Sequence, residues 1–276
     1  TSMNYRNFDA ETLEREYTPA SRVENIQVYL DSYTQRGQSA RQTISHQKLT
    51  YGNHPDEWLW YAPAGDTQNN DVRVEPLIIF VHGGFWRRLS ADDGTFLTPK
   101  FHELGFSTAC VNYSLCPTET LDVLVDQTSR AIKFLSTRHH AKNTILIGHS
   151  AGAQLIAMAM CEKSASQFAT AIFVSGVFDL EPIIHMSVND AVKLDLESAR
   201  RLSPINFTTQ AKNTPIAVIW GENETNEFKR QSREFATTWS SSPNHSSAKT
   251  REITGRNHFD VLDELASPGV IGLADA

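Results

Sequence analysis

Short apolar runs alternate with helical segments from about Gln47 onward, and this alternation constrains the fold more than any other feature of the chain. Strands separated by helices of about 10 to 15 residues need right-handed crossovers, which predicts an α/β fold with a mostly parallel sheet and helices on both faces. Predicted strands are Lys48 to Tyr51, Glu57 to Tyr61, Leu77 to Val81, Phe106 to Val111, Thr144 to Ile147, Ala169 to Val174, Pro215 to Trp220 and Lys249 to Thr254. Predicted helices are Leu121 to Leu135, Ala151 to Cys161, Glu224 to Trp239 and Asp260 to Leu265.

The chain from residue 3 to residue 276 is interpreted as one domain, because no repeat, low-complexity tract or change of composition marks a linker. The first 45 residues have a helical pattern and are expected to fold back over the body. The stretch from Leu180 to Ser203 lacks a strand pattern and is interpreted as a small helical cap inserted over the site. Thr1 and Ser2, which precede Met3, resemble a cloning scar.

Charge and composition argue against several classes of protein. The chain carries 25 basic and 32 acidic residues, a net charge of −7 with no basic stripe, so nucleic-acid binding is not expected. The N-terminus is polar and the longest apolar runs are far too short to span a bilayer, which predicts a cytoplasmic protein without a membrane partner. No cysteine, histidine or glycine motif has the spacing of a metal or dinucleotide site, so neither a metal nor a cofactor is expected.

The most informative motif lies between a predicted strand and a predicted helix, where Gly148, Ser150 and Gly152 form the pattern G-x-S-x-G. This is the context of a nucleophile elbow, a sharp turn that holds the serine in a strained backbone conformation and exposes its hydroxyl. Side chains two residues away on either side would collide in so tight a turn, which explains both glycines. Ser150 is therefore the predicted nucleophile, and the following helix aims the Ala151 amide at a developing oxyanion.

A serine hydroxyl needs a base, and the base needs an acid that orients it. In this architecture the acid and then the histidine follow the nucleophile along the chain. Glu224 is predicted as the acid because it follows the strand that ends at Trp220. Glu222 and Glu227 are alternatives, since a loop can present any of the three. His258 is predicted as the base, because its loop follows the last strand and precedes the last helix.

Other histidines fit the role of base less well. His139 and His140 end an amphipathic helix and are expected to be solvated. His149 adjoins the nucleophile, but the elbow alternates side-chain directions, so its ring is expected to point elsewhere.

A second group of oxyanion donors is expected after the strand Leu77 to Val81, at the edge where open α/β sheets bind ligands. The loop there consists of His82, Gly83, Gly84, Phe85 and Trp86. Consecutive glycines let backbone N–H groups approach a ligand, so Gly83 and Gly84 are the predicted oxyanion amides. His82 is expected to brace the loop by hydrogen bonding.

At these motifs the chain resembles the α/β-hydrolase superfamily, in its hormone-sensitive-lipase-like branch, and within that branch the kynurenine formamidase family. Residues 82–86 match that family's H-G-G-x-W signature, where esterases of the branch more often carry a third glycine. The family usually has aspartate as the acid, where Glu224 stands here with one more methylene of reach. The resemblance spans nearly the whole chain, and further similar segments are Leu13 to Ser21, Asn112 to Pro117, Ser175 to Leu180 and Asp195 to Pro204.

The resemblance implies an α/β-hydrolase fold, hydrolysis of N-formyl-L-kynurenine to L-kynurenine and formate, no cofactor, and a homodimer. Phe85 and Trp86 are bulky where a third glycine would leave space. We hypothesise that they narrow the acyl side of the site to suit formyl and stack on the aryl ring, with core packing as the alternative. The candidates for the residue that binds the amino-acid end of the substrate are Arg87, Arg88 and Asn189. A carboxylesterase is the alternative function, and a catalytically inactive ligand receptor is the alternative of another class.

Overall fold

The central element of the molecule is a sheet that runs through the part of the chain described by the computed structural model, residues 5–65 and 73–275. Its eight strands are β1 (Gln47–Thr50), β2 (Trp58–Ala62), β3 (Leu77–Val81), β4 (Ser107–Val111), β5 (Thr144–His149), β6 (Thr170–Val174), β7 (Ile216–Gly221) and β8 (Lys249–Ile253), in the order β1-β2-β4-β3-β5-β6-β7-β8. β1 and β2 form a hairpin, and β2 also pairs antiparallel with β4. All pairings among β3 to β8 are parallel, so the predicted class is confirmed. Thr1 and Ser2 lie outside the described residues.

Helices connect these strands at most of the predicted places. The α-helices of the described residues are α1 (Ala10–Glu16), α2 (Ile26–Thr43), α3 (Thr98–Glu103), α4 (Leu121–Leu135), α5 (Ala151–Met160), α6 (Asn189–Val192), α7 (Leu196–Arg201), α8 (Asn226–Ser240) and α9 (Pro268–Ile271). α4 begins where the Thr120 side chain accepts a hydrogen bond from the Val123 amide, a favourable N-terminal cap. The predicted last helix is instead a short 3-10 helix, Asp260–Glu264.

Both faces of the sheet are covered, and the sequence of β3 shows how. Leu77, Ile79 and Val81 belong to the core that contains side chains of α4, α5 and α8. Ile78 and Phe80 belong to the other core, with side chains of α2 and α3. Because both faces of a central parallel strand are buried, its sequence is continuously apolar and does not alternate.

One expectation drawn from a helical pattern is wrong, because His139 is buried and not solvated. Its Nε2 lies 2.6 Å from the Tyr61 hydroxyl and its Nδ1 lies 3.0 Å from the Glu75 carbonyl oxygen. Both partners are distant in sequence, so the periodicity of α4 carries no sign of them. His140 is exposed, as expected.

The N-terminal helices pack on the body of the molecule, as expected. Tyr33 of α2 stacks on Phe96 with ring centroids 5.0 Å apart. Behind α8, the Tyr17 hydroxyl donates to Glu227 Oε1 at 3.1 Å, and the Thr225 hydroxyl donates to the Glu16 carbonyl at 2.6 Å. The N-terminal segment is thereby tied to the start of α8.

The stretch of residues 180–203 is helical and contains no strand, in agreement with its sequence. It consists of the 3-10 helix Glu181–His185 followed by α6 and α7. The Ser187 amide donates to Glu14 Oε2 at 3.0 Å, so this stretch contacts α1. That the chain forms one domain stays a prediction. Among the described residues, no helix is both long and apolar enough to cross a bilayer.

The direction of the strands decides where the motifs meet. The chain leaves β3 at Val81, β5 at His149, β6 at Val174, β7 at Gly221 and β8 at Ile253. Because these strands are parallel, their carboxyl ends share one edge of the sheet. Ser150, Glu224 and His258, like the predicted oxyanion glycines, lie within five residues after one of these ends, whereas Gly148 lies in β5 itself.

Candidate active site

Ser150 stands between β5 and α5 in a conformation that residues other than glycine rarely adopt, with φ of 55° and ψ of −117°. A Cβ at Gly148 would approach the Ala153 amide nitrogen to 2.7 Å. A Cβ at Gly152 would overlap the Val81 carbonyl oxygen of the neighbouring strand. Close backbone contacts therefore leave no room for a side chain at either position, and the motif predicts glycine there because of such collisions.

Ser150, His258 and Glu224 form a buried hydrogen-bonded chain. His258 Nε2 lies 3.1 Å from Ser150 Oγ, and His258 Nδ1 lies 2.6 Å from Glu224 Oε1. All three residues are at most 5% exposed. In this arrangement a carboxylate holds the proton of Nδ1, so that Nε2 is free to accept the hydroxyl proton.

The structure distinguishes Glu224 from the two other glutamates that the sequence left open. Glu222 is exposed, and its Oε1 accepts a hydrogen bond from the Gly255 amide. Glu227 is buried but turns to an ion pair with Arg230 on α8. Only Glu224, among these three described side chains, reaches His258.

Two groups that the sequence analysis missed hold the Glu224 carboxylate in place. Its Oε2 accepts a hydrogen bond from the Gly221 amide at 2.7 Å and another from the Ser175 hydroxyl at 2.5 Å. Ser175 follows β6 directly, with a positive φ of 51°. The position of Ser175 in the sequence could have indicated this role, since a residue at the end of β6 lies beside the end of β7.

His149 holds the loop of His258, the predicted base, through a contact that the sequence did not reveal. Its Nε2–H donates to the backbone carbonyl of His258 at 2.7 Å. Burial, and then the nearby His258 imidazole, lower the pKa of His149 to about 3, so this ring is neutral at neutral pH. The expectation that His149 points away from the site is wrong, because its ring lies 5.0 Å from the His258 ring.

Helix α2 also holds the loop that carries His258. The Tyr33 hydroxyl donates to the Phe259 carbonyl. The Tyr29 ring stacks on Phe259 at 5.5 Å, and the Tyr29 hydroxyl accepts a hydrogen bond from Asn257 Nδ2 at 2.9 Å. These contacts join residues more than 200 positions apart, which no local pattern could indicate.

The predicted oxyanion amides lie around the nucleophile. A Cβ at Gly83 would approach Ser150 Cβ to 3.0 Å, and Gly84 lines the same cavity as Ser150. Ala151 is the first residue of α5. In the part of the chain that the structure describes, none of the amides of Gly83, Gly84 and Ala151 donates to a protein acceptor. Free N–H groups in this position are suited to bind a developing oxyanion.

His82 braces the loop, in the manner expected. Its Nδ1 donates to the Gly83 carbonyl at 2.7 Å, and its ring stacks on Tyr113 at 4.2 Å. The Tyr113 hydroxyl donates to the His82 carbonyl at 2.7 Å. The Nε2 atom of His82 is buried with no hydrogen-bond partner among the described residues, and burial lowers the pKa of His82 to about 4.

We expect the free energy of unfolding to fall as the pH is lowered from about 6.5 to about 4. His82 and His149 have folded pKa values of about 4 and about 3, below the ordinary 6.5, so the unfolded chain binds more protons in this range. The unfavourable change is on the order of 2 kcal/mol per histidine between about pH 7 and about pH 5. Chemical denaturation at both pH values measures it.

The matched variants for this measurement are His82→Asn and His140→Asn. The asparagine amide at position 82 can keep the bond to the Gly83 carbonyl but does not titrate, so the pH dependence should become shallower. His140 is exposed, and its replacement should leave the dependence unchanged. Equal slopes for both variants and the unmodified chain would refute the contribution of His82.

Phe85 and Trp86, which were expected to contact the substrate together, have different positions in the structure. Phe85 is partly buried and lines the cavity beside Ser150. Trp86 is fully buried, and its Nε1 donates to Gln154 Oε1 at 2.9 Å. The prediction that Trp86 stacks on the substrate is wrong, because its ring is enclosed by the core; it anchors the loop.

A cavity opens over the Ser150 hydroxyl. Its lining residues are Pro19, Ile26, Leu30, Tyr33, Gly84, Phe85, Arg87, Arg88, Leu89, His149, Ser150, His258 and Phe259. The wall is thus supplied in part by the N-terminal segment, whereas residues 180–203 line none of it. No group of three or more His, Cys, Asp or Glu side chains within residues 5–65 and 73–275 is placed to hold a metal ion.

Fold and site together define an α/β hydrolase, with a serine at a strand-to-helix elbow above a mostly parallel sheet. Comparison with known proteins agrees. A crystal structure from Silicibacter sp. TM1040, provisionally named a thioesterase, has a TM-score of 0.80 at 22% identity and covers 95% of this chain and 97% of its own. An esterase of Pyrobaculum calidifontis has a TM-score of 0.72 at 15% identity, covering 97% and 93%.

Sequence comparison gives the narrower assignment. The family model described as BD-FAE matches residues 66–180. A kynurenine formamidase of Danio rerio is 30% identical, and the match covers 95% of this chain and 93% of the relative. The chain belongs to the kynurenine formamidase family.

Proposed function

We propose that this chain hydrolyses aryl formamides, with N-formyl-L-kynurenine as substrate and with L-kynurenine and formate as products. The observation that carries the proposal is the hydrogen-bonded chain of Ser150, His258 and Glu224 at the floor of a largely apolar cavity. The name of the Danio rerio relative supports this choice of substrate.

In the first half of the proposed reaction, Ser150 Oγ attacks the formyl carbon while His258 Nε2 accepts the hydroxyl proton. The carbonyl oxygen becomes an oxyanion that the amides of Gly83, Gly84 and Ala151 bind, each donor being worth about 3 kcal/mol in such sites. Glu224 stabilises the imidazolium through Nδ1. His258 then protonates the arylamine nitrogen as the C–N bond breaks, which leaves a formyl ester on Ser150.

In the second half, a water molecule takes the place of the arylamine. His258 removes a proton from the water, whose oxygen attacks the formyl ester, and the same oxyanion donors bind the second tetrahedral intermediate. Collapse of this intermediate returns the proton from His258 to Ser150 Oγ and releases formate. His149 and α2 contribute by holding the loop of the base, so that Nε2 serves both halves in one position.

The shape of the site supports a small acyl group and an aromatic leaving group. Phe85 occupies the position where a third glycine would leave room, beside the nucleophile. The lining of the cavity also includes Ile26, Leu30 and Phe259, whose apolar surfaces suit an aromatic ring. A formyl group needs less space than any other acyl group, so a narrow acyl side favours it.

The test is a comparison of kcat/KM for N-formyl-L-kynurenine and for p-nitrophenyl acetate with the unmodified protein. The expected result is a higher value for the formamide, although the ester is the more reactive compound. Turnover of the ester alone would favour a carboxylesterase, the alternative that the esterase-like fold supports. Binding without turnover of either compound would favour an inactive receptor.

A further inference from the structure

We propose that Arg87 and Arg88 form a carboxylate-binding subsite at the mouth of the cavity. The substrates would then be aryl acyl compounds with an anionic group on the side of the leaving group. This inference rests on the proposed hydrolysis at Ser150, and it assigns residues to the carboxylate that N-formyl-L-kynurenine carries on its leaving group.

The first observation is the composition of the cavity wall. Apart from the histidines and Ser150, its side chains are apolar or aromatic, with Arg87 and Arg88 the exception. A positive charge beside an apolar wall selects an aromatic compound that carries an anion. Asn189, the third residue guessed for this role, bonds to the Ile184 and Leu194 carbonyls and does not line the cavity.

The second observation is that both guanidinium groups are free. Arg87 and Arg88 are exposed, and neither forms an ion pair or a side-chain hydrogen bond with any residue that the structure describes. Other arginines are paired, such as Arg230 with Glu227 and Arg256 with Glu264. In a chain of net charge −7, two adjacent unpaired arginines at the site leave donors available for an external carboxylate.

The third observation is that the backbone below the two arginines is held firmly. The Arg87 and Arg88 amides both donate to the Gly84 carbonyl at 3.1 Å, which makes a tight turn. Gly84 has a φ of 115°, and a Cβ there would overlap the Arg88 carbonyl oxygen. The buried Trp86 anchors the turn through Gln154. A prepositioned backbone lowers the entropy that is lost when these donors bind a ligand.

The same loop therefore carries both proposed functions. Gly83 and Gly84 supply oxyanion amides, and the arginines follow within four residues. If the scissile carbonyl of the substrate lies at the glycines, its leaving group lies near the guanidinium groups. A carboxylate joined to the ring by a chain of a few atoms would then reach them. The buried Trp86 lies between the glycines and the arginines, so its anchor to Gln154 holds both groups of donors in place.

The experiment uses two matched pairs of substrates that differ only in the charge of the side chain. One pair is ortho-formamidobenzoylpropionate and its primary amide; the other is the ortho-acetoxy ester analogue of each. For the unmodified protein we expect kcat/KM to favour the acid over the amide by about tenfold at low ionic strength, and less at high salt. In the double variant Arg87→Gln, Arg88→Gln the ratio should fall to about one.

The control is the double variant Arg138→Gln, Lys142→Gln, which also removes two positive charges but from exposed positions outside the cavity, and it should keep the unmodified ratio. Each ratio is internal to one protein sample, so partial loss of folded protein cancels. A ratio that is unchanged in the double variant, or that is near one in the unmodified protein, overturns the subsite. If only the esters react and the acid preference depends on the arginines, the subsite stands and the formamidase proposal fails.

Discussion

Replacing Ser150 with alanine is expected to lower kcat/KM for N-formyl-L-kynurenine by about 10⁵-fold or more. The reason is that, within residues 5–65 and 73–275, the side-chain partner of His258 Nε2 is the Ser150 hydroxyl, at 3.1 Å. The residual rate should reflect only the oxyanion amides and substrate binding. Release of L-kynurenine, followed by its absorbance, measures the effect.

The same variant should bind substrate and fold normally. Alanine fits the space of serine, and the Ser150 hydroxyl has its one recorded side-chain bond with His258 among the described residues. We therefore expect an unchanged midpoint of unfolding and a substrate dissociation constant close to that of the unmodified protein. A loss of less than about tenfold in kcat/KM would contradict the role of Ser150 as nucleophile.

Replacing Glu224 with glutamine is expected to lower kcat by about 10⁴-fold. The Gly221 amide and the Ser175 hydroxyl both donate to Oε2, so the amide oxygen of glutamine must take that position. The NH₂ group then faces His258 Nδ1, which becomes an acceptor. The imidazole proton is forced onto Nε2, and the base can no longer accept the proton of Ser150.

Glu222→Gln is the matched control, because it makes the same chemical change two residues away. Glu222 is exposed and bonds to the Gly255 amide, which a glutamine oxygen can also accept from. We expect kcat to stay within about twofold of the unmodified value. Similar losses in both variants would show that the loop has been disturbed, and they would refute the assignment of Glu224 as the acid.

Much of the fold could be predicted from the sequence, since strands buried on both faces and amphipathic helices are marked by local patterns. β3 is continuously apolar because it is covered on both faces, and α4 repeats its apolar residues at helical spacing. The elbow was predictable for a similar reason. Gly148, Ser150 and Gly152 lie within five residues of one tight turn, so the motif can be recognised locally, although the close contact at Gly152 is with Val81 of β3.

Other parts of the site could not be predicted, because they depend on contacts between distant segments. Three glutamates follow β7 closely, and the choice of Glu224 depends on donors from Ser175 and Gly221. Trp86 looks like a substrate contact when only its neighbours in the chain are considered. The packed structure buries its ring and places its Nε1 against Gln154 of α5, 68 positions away in the chain.

The sequence by itself determined the class of fold and predicted the candidate nucleophile and base, because each follows from residue types at short spacing or from their order along parallel strands. The tertiary structure alone decided which glutamate reaches His258, that His149 and α2 hold the base, and that Pro19 and Ile26 wall the cavity. These outcomes depend on side chains from separate segments meeting at one edge of the sheet. A local pattern constrains the conformation of its own segment, whereas such contacts are set only when the whole chain is packed.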